Sequence, residues 1–264
     1  MDFLYSLPHW FAGTIVVGAV LIGTAVAYFI ARKIYDPPLS DNDRSVVLAF
    51  VPTIATVQSL LLAFSAVSVW EGFSTAQAAV MTEANIVGQR ARDLASFGSE
   101  DSARARNLLR AYARNVVDAE WQEMGRGIQA RASWDAFDDF FRGVAKLDPD
   151  TPKRQALMPE IWARTNQLVE IRRARLASAD AEIPGTLWAV VVAGSILTLA
   201  MAFYLPLTRF NGIMVGALAA SLGLVFFFLV ALDRPFAGRE SVSPQPFLSA
   251  IENMDRWDHA TQAH

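Results

Sequence analysis

Four stretches of this chain are almost free of charge and long enough to cross a bilayer as helices. They run from about Trp10 to Ala31, Val46 to Trp70, Gly185 to Leu205 and Ile213 to Leu232. A hydrocarbon layer about 30 Å thick takes roughly 20 apolar residues in helical form. A backbone inside it must satisfy its own polar groups, which a helix does. Residues 71–183, by contrast, hold most of the Arg, Asp and Glu. The pattern predicts an all-α integral membrane protein with four transmembrane helices and a helical soluble domain inserted between the second and third spans. The expected organisation is residues 10–70 for the first two spans, 71–183 for the extramembrane domain, 184–232 for the last two spans and 233–264 for a C-terminal tail.

The segment MDFLYSLPHWF lacks a basic n-region, so the first span is expected to act as an uncleaved signal-anchor. Gly13, Gly18 and Gly23 form a small-residue ladder predicted to let a neighbouring helix approach closely. Arg32, Lys33 and Tyr35 suit the membrane interface, and Asp36-Pro37-Pro38 is the expected stop. Pro184 opens the third span and Pro206 closes it.

The second span is the most polar, with Thr53, Thr56, Gln58, Ser59, Ser65 and Ser68, and Pro52 is predicted to kink it. On a helical wheel Ala49, Pro52, Thr53, Thr56, Leu60, Ala63 and Val67 fall on one side, with Gln58 and Ser65 roughly opposite. One side is suited to line water while the other bonds a neighbouring helix. The plainer alternative is that the hydroxyls bond back to their own i−4 carbonyls and the stripe is ordinary packing. No proline separates this span from residues 71–97, so the helix is expected to leave the membrane and continue into water.

Gly98 and Ser99-Glu100-Asp101 read as a helix stop and a capped restart. A helix over Glu100 to Met124 follows, striped by Leu108, Leu109, Tyr112, Val116 and Trp121 and ended by Gly125 and Gly127. Ser133 caps a short helix with Trp134, Phe137, Phe141 and Val144 on one face, and Pro152 suits the first turn of the last soluble helix. The tail holds one short helix, Phe247 to Trp257, and no strand pattern is present.

Four spans put both termini on one side. Arg90, Arg172, Arg173, Arg175, Arg234 and Arg239 outnumber Arg32, Lys33, Arg44 and Arg209 on the other. The positive-inside rule then gives a multi-pass inner (plasma) membrane protein with its soluble domain and termini in the cytoplasm.

The chemistry-bearing residues are sparse. There is no Cys, the histidines are His9, His259 and His264, and no metal spacing, Walker loop, GxSxG elbow or Rossmann pattern occurs. No catalytic residue, cofactor or metal site is expected, and the chain reads as no enzyme. Asp255, Asp258 and His259 cluster in the tail as solvated polar groups. The net charge of -3 points to no nucleic-acid partner. The central parts of the spans carry no Asp, Glu, Lys, Arg or His, which argues against proton-coupled transport and leaves a passive pore open. Glu71, Glu83, Arg172, Arg173, Arg175, Asp233 and Arg234 gather at the membrane borders. They either pair as a structural collar or raise the anion concentration at a pore mouth.

Three stretches together carry a resemblance. They are Leu60-Leu61-Leu62-Ala63-Phe64 running on to Glu83-Ala84-Asn85, then Arg172-Arg173-Ala174-Arg175-Leu176 before Pro184, then Leu232-Asp233-Arg234-Pro235-Phe236-Ala237-Gly238 followed by Val242-Ser243-Pro244. In this order they resemble the bacterial membrane family described as bestrophin-like, from about residue 10 to 255. Bestrophins are pentameric anion channels whose second helix lines a pore with an apolar neck. The resemblance implies a homo-oligomer in membrane lipid around a path for an inorganic anion such as chloride, with the second span nearest the axis. The chain departs from the pattern in having only Phe50 and Phe64 in that span and no acidic calcium clasp, so calcium gating is not expected.

The reading that follows is an oligomeric passive ion channel with Ala49, Pro52, Thr53, Thr56, Leu60, Ala63 and Val67 as pore-lining candidates. The competing one is a non-conducting scaffold or sensor whose helical domain binds partners through Trp134, Phe137, Phe140 and Phe141.

Overall fold

The computed structural model describes residues 7–34, 40–128, 132–180, 182–204 and 208–262. Among these residues the chain is helical and no strand occurs. Tyr35, Asp36-Pro37-Pro38, Leu205, Pro206 and His264, and the side chains of His9, Arg32, Arg44, Ser133 and His259, lie outside the described residues.

Helix α1 is His9–Ile34, α2 is Asp41–Phe97 and α3 is Glu100–Asn115. A π-helical turn, Val116–Glu120, joins α3 directly to α4, Trp121–Gly125. Then come α5 at Ala132–Ala145, α6 at Pro152–Ala179, α7 at Gly185–Met201, α8 at Arg209–Leu232 and α9 at Gln245–Gln262. Three segments, Trp10–Ala31, Ser45–Phe97 and Arg209–Leu232, are long and apolar enough to cross a membrane, and Gly185–Met201 is a shorter apolar helix. The chain divides into two compact units, Met1–Glu71 with Glu182–Asp233, and Gly72–Ala181 with Arg234–His264.

In the first unit α1 and α8 lie against each other. A Cβ on Gly223 would come within 2.9 Å of the Val17 Cα, and Gly13 lies under the Phe227 ring. Gly18 and Gly23 have open space where a Cβ would go, so the predicted ladder is corrected. Residues five apart are rotated by about 140° on a helix of 3.6 residues per turn, so these three glycines share no face. The close approach comes from a glycine on the partner helix instead. Trp188 of α7 stacks on Phe226 of α8, and Asp233 accepts from the Ile183 amide at 2.8 Å and the Trp188 indole at 3.3 Å.

α2 runs unbroken through Pro52 and carries on to Phe97, as the lack of a later proline predicts. Gly98 ends it with φ +69°, a left-handed conformation that glycine adopts without steric cost. Ser99 then caps α3 in a reciprocal pair with Ser102. Thr151 caps α6, with Pro152 in its first turn.

The second unit buries Val80, Val87 and Leu94 of α2 against Leu109, Tyr112, Phe137, Phe140, Ile161 and Leu168. Of residues 233–264, expected as a tail, residues 234–262 fold into this unit. Phe247, Ala250, Ile251 and Met254 of α9 are core residues, spaced at helical intervals of three and four. Asp255 and Asp258 are not free in solvent. Arg106 and Arg110 pair with Asp258, while Asp255 pairs with Arg110 at 3.0 Å and with Arg114 at 3.7 Å.

Candidate functional site

Two places concentrate polar groups, one in each unit. The first is α2 between Ala49 and Val67. Ala49, Pro52, Thr53, Thr56, Leu60, Ala63 and Val67 are all exposed on the single chain, together with the large apolar side chains Val57 and Phe64. Gln58, Leu62, Ser65 and Val69 are buried on the reverse side. Several hydroxyls bond to their own helix: Thr56 donates to the Pro52 carbonyl at 2.7 Å, Ser59 to Thr56 at 2.8 Å and Ser65 to Leu61 at 2.9 Å. Gln58 reaches across instead. Its Nε2 donates to the Val191 carbonyl at 2.9 Å and to the Ser195 hydroxyl at 2.8 Å, both on α7.

The second place is a fully buried charge cluster in the helical unit. Arg175 Nε donates to Glu83 Oε2 at 2.6 Å, and its Nη2 donates to Glu120 Oε1 at 2.8 Å. Arg172 Nη1 donates to Glu120 Oε2 and to the Tyr112 hydroxyl, each at 3.1 Å, and Tyr112 in turn donates to Glu83. Arg172 also lies over the Tyr112 and Trp134 rings, at 5.2 and 4.8 Å. Both arginines and both glutamates have no solvent exposure. Two positive charges meet two negative ones, and all four carboxylate oxygens accept hydrogen bonds. Burial alone would lower the Arg175 pKa, but Glu83 and Glu120 beside it raise it above its ordinary value, so it stays charged. Burial pushes the Tyr112 hydroxyl up, with Glu83 acting in the same direction, so it stays a donor.

The π turn positions Glu120. A π-helical turn holds more residues than an α-helical one, so the register after it slips by about one position. Glu120 and Trp121, neighbours in sequence, are thereby both buried, and the Trp121 indole donates to the Val242 carbonyl at 3.2 Å.

The border charges separate accordingly. Glu83, Arg172 and Arg175 lie inside the helical unit, Glu71 and Arg173 are exposed, Asp233 ties the start of α7 to the end of α8, and Arg234 is half-buried. Arg90, counted above among the cytoplasmic arginines, is also fully buried and donates to the Ile161 carbonyl at 2.6 Å. Two of the carboxylates of residues 71–183, Glu83 and Glu120, are therefore interior. The signal for them was in the sequence: Glu83 and Arg90 sit in the apolar stripe Ala76, Val80, Val87 and Leu94, and Glu120 is four residues beyond Val116. Likewise Arg172 and Arg175 continue the stripe of Ile161, Thr165 and Leu168. The aromatic patch offered as a partner surface is corrected: Phe137 and Phe140 are core, and Phe141 packs on Trp162. Phe140 sits three residues after Phe137, on the same inward stripe. Among the described residues, no group of three or more His, Asp or Glu is placed to hold a metal ion.

An all-helical chain with several bilayer-length apolar helices and a helical unit closed by internal ion pairs defines the class, one consistent with a membrane protein. The sequence profile of the bestrophin-like domain matches residues 16–247, most of the chain, and the protein belongs to that family. Comparison with curated proteins gives no match.

Proposed function

We propose that the chain is a subunit of a homo-oligomeric passive anion channel, pentameric as in bestrophins, with α2 lining the path. In this reading four helices cross the inner membrane, and the helical unit and both termini lie in the cytoplasm. The observation that carries it is the division of α2 into two faces. The reverse face is used up by packing and by the Gln58 bonds to α7, while Ala49, Pro52, Thr53, Thr56, Leu60, Ala63 and Val67 are exposed on the single chain. That face is uncharged, largely apolar and partly hydroxylated, the surface of a weak-binding passive pore rather than of an ion-coupled transporter.

Purified oligomer in planar bilayers is expected to give discrete current steps whose reversal potential follows the chloride gradient. Flat traces from folded oligomer would refute the reading. The scaffold alternative loses Phe137 and Phe140 from the aromatic surface on which it stood, because both are interior.

A further inference from the structure

The Gln58 amide lies where a polar group is hardest to place, between apolar helices, and it is 3 % exposed. Both of its N–H donors are used, on the Val191 carbonyl and the Ser195 hydroxyl. Ser195 Oγ itself donates to Val191 at 2.9 Å, which leaves its lone pairs to Gln58. These partners fix the sense of the amide, since a reversed one would set its oxygen against the Val191 carbonyl. Among the described residues, the Gln58 Oε1 is buried with no hydrogen-bond partner. It rests on the backbone of Gly194, where a Cβ would fall 1.9 Å from Oε1 and 2.8 Å from the Gln58 Cδ. At such a contact the Gly194 Cα–H is a weak donor of the kind seen between close-packed helices.

We propose that Gln58 and Gly194 form an interhelical pin that fixes the rotation of α2 about its own axis. This rests on the reading of α2 as the lining helix, and it makes Gln58 a positioning residue for the path. The geometry follows from the helix. Residues two apart are rotated by about 200°, so with Gln58 locked onto α7, Thr56 and Leu60 are turned away from it. Turning α2 by one residue would carry the amide into lipid, where its donors find no partner. Only glycine at 194 leaves room for the amide.

The test is a double-mutant cycle of Gln58→Ala and Gly194→Ala, read by thermal melting of the purified protein and by thiol modification of a Thr56→Cys reporter. The chain has no cysteine of its own, so the reporter is unambiguous. Gly194→Ala in the natural background should lower the melting temperature and slow Thr56→Cys modification several-fold. In the Gln58→Ala background the same methyl fills vacated space and should have little effect. If Gly194→Ala does not fold alone, recovery of folding in the double variant supports the pin, and failure to recover overturns it. Equal losses in both backgrounds also overturn it. The melting cycle does not depend on conduction. A non-additive cycle in a protein that gives no current keeps the pin and removes the channel, while an additive cycle in a conducting protein does the reverse.

Discussion

Two arginines and two glutamates buried together are tolerated because each charge meets an opposite one in hydrogen-bonding geometry, and removing a single partner strands the rest. Glu120 contacts both arginines, so Glu120→Ala is expected to destabilise the helical unit by about 3–5 kcal/mol, measured as a fall in denaturation midpoint. Tyr112 adds a pH dependence. Its folded pKa is raised above the ordinary value of about 10, chiefly by burial, so the folded state favours the neutral phenol. The stability this contributes is complete below about pH 10 and is lost as pH rises beyond it. The wild-type melting temperature should therefore fall more steeply in that alkaline range than that of Tyr112→Phe. Parallel curves would show that the phenol does not couple to folding. These residues were half legible in the sequence. Their positions on apolar stripes marked them as interior, but nothing in spacing alone pairs Glu83 with Arg175, ninety-two residues away.

At the scale of elements, α2 carries two kinds of information on opposite faces. Single cysteines at Thr53, Thr56, Leu60 and Ala63 are expected to react with a charged thiol reagent in the assembled protein, while cysteines at Leu62 and Ser65 stay protected. Uniform protection would remove this face from the path. The periodicity of α2, its unbroken run past Trp70, the cap at Ser99 and the place of Pro152 in the first turn of α6 were readable from residue order, because propensity and capping act within a few residues. The π turn was not. It reflects the joint burial of Glu120 and Trp121, a demand made by neighbours distant in the chain.

For the whole molecule, α9 is the element whose place changed most. It contributes Phe247, Ile251 and Met254 to the core and the acids that pair with Arg106 and Arg110. A chain truncated after Pro244 is expected to melt at a lower temperature and to aggregate on size-exclusion chromatography; an unchanged profile would make α9 dispensable. The sequence alone determined that the chain is helical, that several of its apolar stretches are of bilayer length, that a charged helical region lies between them and which family it resembles. The first three follow from hydropathy and periodicity, which are local and additive along the chain, and the resemblance from three motif stretches in order. Only the tertiary structure decided that Arg172 and Arg175 turn inward to Glu83 and Glu120, that the last helix is core, and that α2 meets α7 through Gln58 at Gly194. Each of these depends on which distant surfaces meet, and burial changes what a charge or an amide must find there. A side chain that water would satisfy anywhere on the surface needs one particular partner once water is gone.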